Sequence, residues 1–228
     1  WLLQNGLTQT HQNNMGAFGG PDIITDGLVY AFDAGSGRSY DGTTSLNDLV
    51  GSNTGTLTNG VTYQSINGGV FDFDGTDDHI ELNTAMSFAN AFTFNCWFIK
   101  DNNGEKTFLG KPGSSEKLIF LSNNNIFLRV INGGSANNFD IGYTTALNGE
   151  WQFLTVARTS SGLIKASLNG SALISGETRT GTFTPSTIAE NTNGQYWAGK
   201  LANNLIYNRE LTAAEILQNY NAQKNRFI

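Results

Sequence analysis

Four aspartates crowd into one short stretch, Asp72, Asp74, Asp77 and Asp78, the densest group of carboxylates in the chain. Such a group has two chemical uses. Carboxylates two residues apart on a strand project from one face, which suits the acid and the nucleophile of a glycosidase. Asp72 and Asp74 are the only pair with that spacing, and they stand beside a turn. Alternatively, crowded carboxylates repel, and a hard cation taking oxygen ligands at the turn relieves the repulsion. The plain reading beside both is a solvated turn.

Other catalytic chemistry finds little material. Glu81, Glu105, Glu116, Glu150, Glu177, Glu190, Glu210 and Glu215 stand singly. A serine or cysteine nucleophile needs an imidazole within reach, and the only histidines are His11 and His79. His79 reads more simply as a strand side chain. There is neither a Cys/His metal cluster nor a phosphate-cradling G-x-x-x-x-G-K-(S/T) loop. The lone Cys96 lies in the apolar stretch Phe92-Thr93-Phe94-Asn95-Cys96-Trp97-Phe98, where a thiol behaves as a small buried hydrophobe. It can form no intrachain bridge, which leans towards assembly in a reducing cytoplasm. The sequence therefore predicts a binding or structural module, not an enzyme. Glycan recognition needs aromatic platforms beside amide hydrogen-bonders. Tyr143, Tyr196 and Trp197 are candidates for the first, and the Asn-rich stretches 123–125, 132–138 and 191–195 for the second. Aromatics in strands are more often core, as expected for Trp97 and Trp151.

These groups must be positioned by strands. Asn-Gly recurs at 59–60, 67–68, 148–149 and 169–170 and Asp-Gly at 26–27, 41–42 and 74–75, among others. Both dipeptides tolerate the positive φ of tight hairpin turns. Between them run short β-branched and aromatic segments, predicted as strands at 28–33, 61–64, 69–74, 78–82, 92–100, 106–110, 117–121, 125–131, 137–143, 151–159, 163–168, 177–183, 187–190 and 196–207. Phe92, Phe94, Cys96 and Phe98 share one face, with Trp97 and Ile99 on the other, which predicts a central strand covered on both sides. One short helix closes the chain: Thr212-Ala213-Ala214-Glu215 is a capping box, and Leu211 with Ile216 makes the matching hydrophobic staple. The pattern predicts an all-β, two-sheet antiparallel jelly-roll sandwich with one short C-terminal helix.

The 228 residues contain 39% hydrophobic and 14% charged residues, so the chain has ample core and a neutral, hydrogen-bonding surface. A net charge of −6 argues against nucleic acid, which requires clustered Lys and Arg. No apolar run is long enough to predict membrane insertion. Residues 1–22 lack any hydrophobic period yet hold Trp1, Leu2, Leu3, Met15 and Phe18, which predicts an attachment arm or linker before a single domain at 23–228. The start at Trp1 suggests a matured protein or a fragment.

The stretch Gly69-Val70-Phe71-Asp72-Phe73-Asp74-Gly75-Thr76-Asp77-Asp78-His79-Ile80-Glu81-Leu82 resembles the F-D-G-x-D-D-Y-V hairpin of laminin-G-like, concanavalin-A-like jelly rolls. Phe92–Lys100, Trp151–Val156, Ser167–Gly170 and Gly199–Thr212 resemble further family blocks in the same order. The resemblance implies a structural calcium near this hairpin, held by Asp74, Asp77 and Asp78 and by an acidic partner whose position is occupied here by Asn203. In the family's jelly-roll glucanases the catalytic carboxylates lie in an E-x-D-x-E strand, which this chain lacks. The opening Ile24–Gly35 and the closing Asn219–Phe227 are similar to laminin-G-like proteins of tailed phages. That likeness implies a virion protein (fibre, tail appendage or capsid decoration) assembled in the host cytoplasm, partnered by other virion proteins or copies of itself and contacting cell-surface glycan. The alternative is a carbohydrate-binding lectin domain of a secreted bacterial protein.

Overall fold

Alternation of apolar and polar side chains, interrupted by Gly-containing turns, folds the chain into strands most of which offer a face to a common core. The computed structural model describes residues 21–101, 105–114, 116–120, 126–132, 135–137, 149–191 and 194–228. Along them run β1 (Leu28–Asp33), β2 (Ser45–Asn47), β3 (Thr54–Thr58), β4 (Thr62–Gln64), β5 (Val70–Asp74), β6 (His79–Leu82), β7 (Phe92–Lys100) and β8 (Lys106–Gly110). There follow β9 (Lys117–Phe120), β10 (Ile126–Asn132), β11 (Ser135–Asn137), β12 (Gln152–Arg158), β13 (Leu163–Leu168), β14 (Ile174–Thr178), β15 (Thr187–Ile188), β16 (Ala198–Tyr207) and the helix α1 (Ala213–Gln223).

Two antiparallel sheets face each other. The first has the order β14-β13-β12-β7-β16-β5-β4, with β1 also on β16; the second runs β11-β10-β9-β8-β15-β6-β3-β2. Register lines up one apolar row across the second sheet, Leu57, Ile80, Ile188, Leu109, Leu118 and Leu128. Opposite it the first sheet presents Ile206, Phe94, Val156 and Ala166. All are buried in one hydrophobic cluster. The jelly-roll sandwich predicted from the sequence is the observed architecture.

The outer face of the first sheet is also dry. Trp97 on β7 is fully buried, stacked on Phe227 at 4.4 Å and Tyr220 at 5.7 Å and packed beside Phe153 at 5.3 Å. Helix α1 supplies this cover. Thr212 and Glu215 form the predicted capping box, and Leu211 and Ile216 are buried together beneath the helix. Arg209 clamps Glu215 through two nitrogens, at 2.6 and 3.0 Å, and holds that carboxyl down to about 2. Beyond α1, Arg226 pairs with both Asp33 oxygens at 2.8 and 2.9 Å and ties the C-terminal tail to the end of β1. At the other end of the chain Ile24 donates its N–H to Asn219, and Gln218 donates to the Asp22 carbonyl.

Two strands went unread in the sequence, β2 and β3, because each buries one apolar side chain: Leu46 in the first and Leu57 in the second. The segment expected as a strand at 177–183 is instead Ile174–Thr178, an almost wholly exposed edge with no apolar face to betray its period. Of the strand expected at 137–143, Asn137 closes β11, and residues 138–143 lie outside the described residues.

Candidate functional site

The acidic turn joins β5 to β6. Asp74 Oδ1 accepts the N–H of Thr76 at 2.7 Å and of Asp77 at 3.4 Å, while Asp78 Oδ2 accepts the N–H of Asp74 at 3.0 Å. One oxygen from each of Asp74, Asp77 and Asp78 lies within 4.8 Å of the others. The environments pull two of them apart. The Thr76 N–H, chief among several backbone donors, lowers the Asp74 carboxyl below its ordinary value. Burial, chiefly, and the neighbouring Asp74 and Asp77 charges raise that of Asp78, which is 4% exposed. An all-oxygen, triply acidic donor set fits a hard cation such as calcium.

Asp72 does not join this cluster. Its carboxylate pairs with Lys200 Nζ at 3.1 Å and accepts Gln64 Nε2 at 2.5 Å, so the strand pair Asp72 and Asp74 is divided between an ion pair and a turn. Asn203, expected as a fourth ligand, is not one. It pairs in register with Trp97 in the middle of the first sheet, accepts the Trp97 N–H at 3.2 Å, and donates to Gln223. Ala198, five residues earlier on β16, is the residue that faces Asp74. A strand rises about 3.3 Å per residue, which leaves Asn203 far from the turn.

Beside the turn lies a polar rim that the sequence reading named only in part. His79 Nδ1 contacts the Asp77 carbonyl at 2.8 Å, and Nε2 meets Glu190 Oε2 at 3.4 Å. Tyr196 leans towards His79, ring centroids 6.3 Å apart. Partial burial, the Glu190 and Asp77 charges and a hydrogen bond with Glu190 raise the Tyr196 phenol above its ordinary pKa. Glu190 and Asn191 rest on the second sheet at Gly110. A side chain at Gly110 would place its Cβ 1.9 Å from the Glu190 carbonyl oxygen, so only glycine admits this crossing. Gln195 Oε1 accepts Lys117 Nζ and Asn191 Nδ2, each at 2.6 Å, which pins the crossing on its far side. No sequence period announces the His79–Glu190 contact, since the two residues are brought together only by β6 pairing with β15.

The other predicted platforms fare differently. Trp197 is not on the surface: it is fully buried, 4.4 Å from Phe108 and edge-on to Phe98 at 5.6 Å, because β16 is covered on both faces and its next-door position points inward. Tyr143 and the arm residues Trp1, Leu2, Leu3, Met15 and Phe18 lie outside the described residues. Among the described residues no helix is long and apolar enough to cross a membrane.

The family profile of the concanavalin A-like lectin/glucanases superfamily matches residues 74–217, which run from the acidic turn to the middle of α1. The chain belongs to this superfamily. Solved structures of the same fold include the binding domain of botulinum neurotoxin serotype G (TM-score 0.65, 19% identity, 85% of this chain and 50% of that one). Domain 4 of AbnA, an extracellular arabinanase from Geobacillus stearothermophilus solved in complex with arabinotriose, also matches (TM-score 0.61, 16% identity, 85% of this chain and 98% of that one). An enzyme, Trypanosoma rangeli sialidase, shares the fold over 34% of its own length and 91% of this chain (TM-score 0.63, 15% identity). The chain spans about half the length of the neurotoxin binding domains it matches. No curated protein matches the sequence. This superfamily member has the fold of lectin-type binding domains.

Proposed function

We propose that the chain is a non-catalytic carbohydrate-binding module. The observation that carries this reading is the rim of Tyr196, Glu190 and His79 beside the Asp74–Asp78 turn. It combines a partly exposed aromatic ring with fixed hydrogen-bonding groups, while the only alternating carboxylate pair is split, Asp72 being held by Lys200. Sugars are recognised by such pairing of a flat apolar ring with a few oriented polar groups. Calcium at Asp74, Asp77 and Asp78 would hold the turn beside this rim. In calorimetric titrations of the full chain against neutral and sialylated oligosaccharides, at least one class should bind; uniform absence of heat and of competition across both classes would refute the reading.

The setting we propose is the virion surface of a tailed phage, as fibre, tail appendage or capsid decoration. The two phage-like segments support it, because they assemble into one unit: Ile24 bonds to Asn219 of α1, and Arg226 pairs with Asp33 of β1. A module within a secreted bacterial protein is the second reading, favoured by the match to nearly the whole of the arabinanase domain. Deleting residues 1–20 and following incorporation into purified particles separates the two. The virion reading expects a folded protein that no longer incorporates.

A further inference from the structure

Among the described residues β4 is the last strand of the first sheet, and an aromatic cluster lies between it and the Ser39–Tyr40 segment that borders β2 of the second. Tyr63 pairs in register with Phe71 and therefore points towards the interior, but among the described residues no strand lies beyond β4, so the ring emerges at the edge. It is 41% exposed, the only aromatic among the described residues counted with the exposed large apolar side chains. Tyr40 lies against it, centroids 5.1 Å apart and planes 34° from parallel. Phe71, 3% exposed, backs both rings, edge-on to Tyr40 at 5.0 Å and to Tyr63 at 6.4 Å.

This arrangement is poor for stability and good for contact. An aromatic ring left in water forfeits the apolar burial that β16 gives Trp197. Yet Tyr63 is held rigidly from behind by a core phenylalanine, so a ligand would lose little side-chain entropy in ordering it. The backbone bridge Tyr40–Leu46 sets the flanking segment, and Asp41, Gly42, Thr43, Thr44 and Ser45 are all exposed along it. Thr43 Oγ1 donates to Asp41 Oδ1 at 2.7 Å, which fixes two polar groups beside the rings. No lysine or arginine stands within residues 39–64. An uncharged aromatic pair bordered by hydroxyls and one carboxylate suits the C–H face and hydroxyl rim of a neutral sugar ring.

We propose that Tyr63, seated on Tyr40 and Phe71, is the stacking platform for a neutral saccharide at the β4 edge. This rests on the carbohydrate-binding reading but assigns the sugar to a different place from the Tyr196 rim. The test uses the full chain on an array of neutral hexose and pentose oligosaccharides together with sialylated ones. Wild type, Tyr63→Ala, Tyr63→Phe and Tyr196→Ala are compared, and near-ultraviolet circular dichroism reports the fold of each. The expected result is binding to neutral oligosaccharides that Tyr63→Ala weakens by about tenfold or more, as loss of a central aromatic anchor does. Tyr63→Phe, which keeps the stacking ring, should retain it. Tyr63→Ala binding as wild type does, while Tyr196→Ala loses binding, would overturn the platform and leave the carbohydrate reading intact. No oligosaccharide bound by wild type would overturn both.

Discussion

The two outer faces of the sandwich are treated in opposite ways. On the first sheet, Trp97 and Phe153 are sealed under Tyr220 and Phe227, and the tail that seals them is fastened by Arg226 to Asp33. On the second sheet, Thr56 and Glu81 pair side by side and remain exposed, and Glu190 and Asn191 cross at Gly110. The first face spends its aromatic residues on stability; the second keeps polar groups in water. Polar groups are accordingly left in water along the second sheet, and the helix-covered face is the scaffold.

The sharpest way to break this comparison is to remove a ring from each side. Trp97→Ala empties a fully buried site, and such truncations cost about 3–5 kcal/mol. Tyr196→Ala, on the partly exposed rim, should cost about 1 kcal/mol or less. Urea unfolding followed by far-ultraviolet circular dichroism measures both, and equal losses would erase the distinction between scaffold and rim.

The helix that covers the scaffold offers a finer test. Thr212→Ala removes the N-cap acceptor and should lower stability by about 1 kcal/mol, with faster amide hydrogen exchange at 213–220. The same box makes the cover sensitive to acid. The Glu215 carboxyl is held below its unfolded value by Arg209 first of all, so its contribution is complete above about pH 4.5 and is lost as the pH falls towards about 2. Glu215→Gln should flatten the decline of melting temperature over that window. A variant that declines as steeply as wild type would remove Glu215 from the account.

The smallest effect is expected at the acidic turn. A cation that binds only the folded chain stabilises it by mass action, so millimolar calcium should raise the melting temperature and chelator should reverse the rise. Asp77→Asn should reduce the shift, whereas Asn203→Asp should not enlarge it, since Asn203 is committed to Trp97 and Gln223. No shift in wild type would leave Asp74, Asp77 and Asp78 as a solvated turn.

Much of the scaffold was readable before any coordinates. The bounds read for 28–33, 92–100, 106–110 and 163–168 coincide with β1, β7, β8 and β13, where apolar side chains recur through the strand and Gly, Asp or Asn close it. The capping box placed α1 because its two hydrogen bonds are local in sequence. The site was harder to read, for a physical reason. β16 is buried on both faces, so alternation along it carries no inside or outside signal, and Trp197 and Asn203 could not be told from surface groups. Tyr63 was missed for the converse reason: its register points inward, and it is exposed because, among the described residues, β4 is the last strand of its sheet. Contacts such as His79 with Glu190 depend on strand order, which one sequence does not spell out.

The central claim is that this fold holds sugar without cleaving it. One sample tests both halves: the full chain mixed with neutral oligosaccharides, followed by proton nuclear magnetic resonance over a day. The account predicts saturation transfer from protein to sugar protons and an unchanged anomeric spectrum. New reducing-end signals that disappear in Asp72→Asn or Asp74→Asn would contradict it.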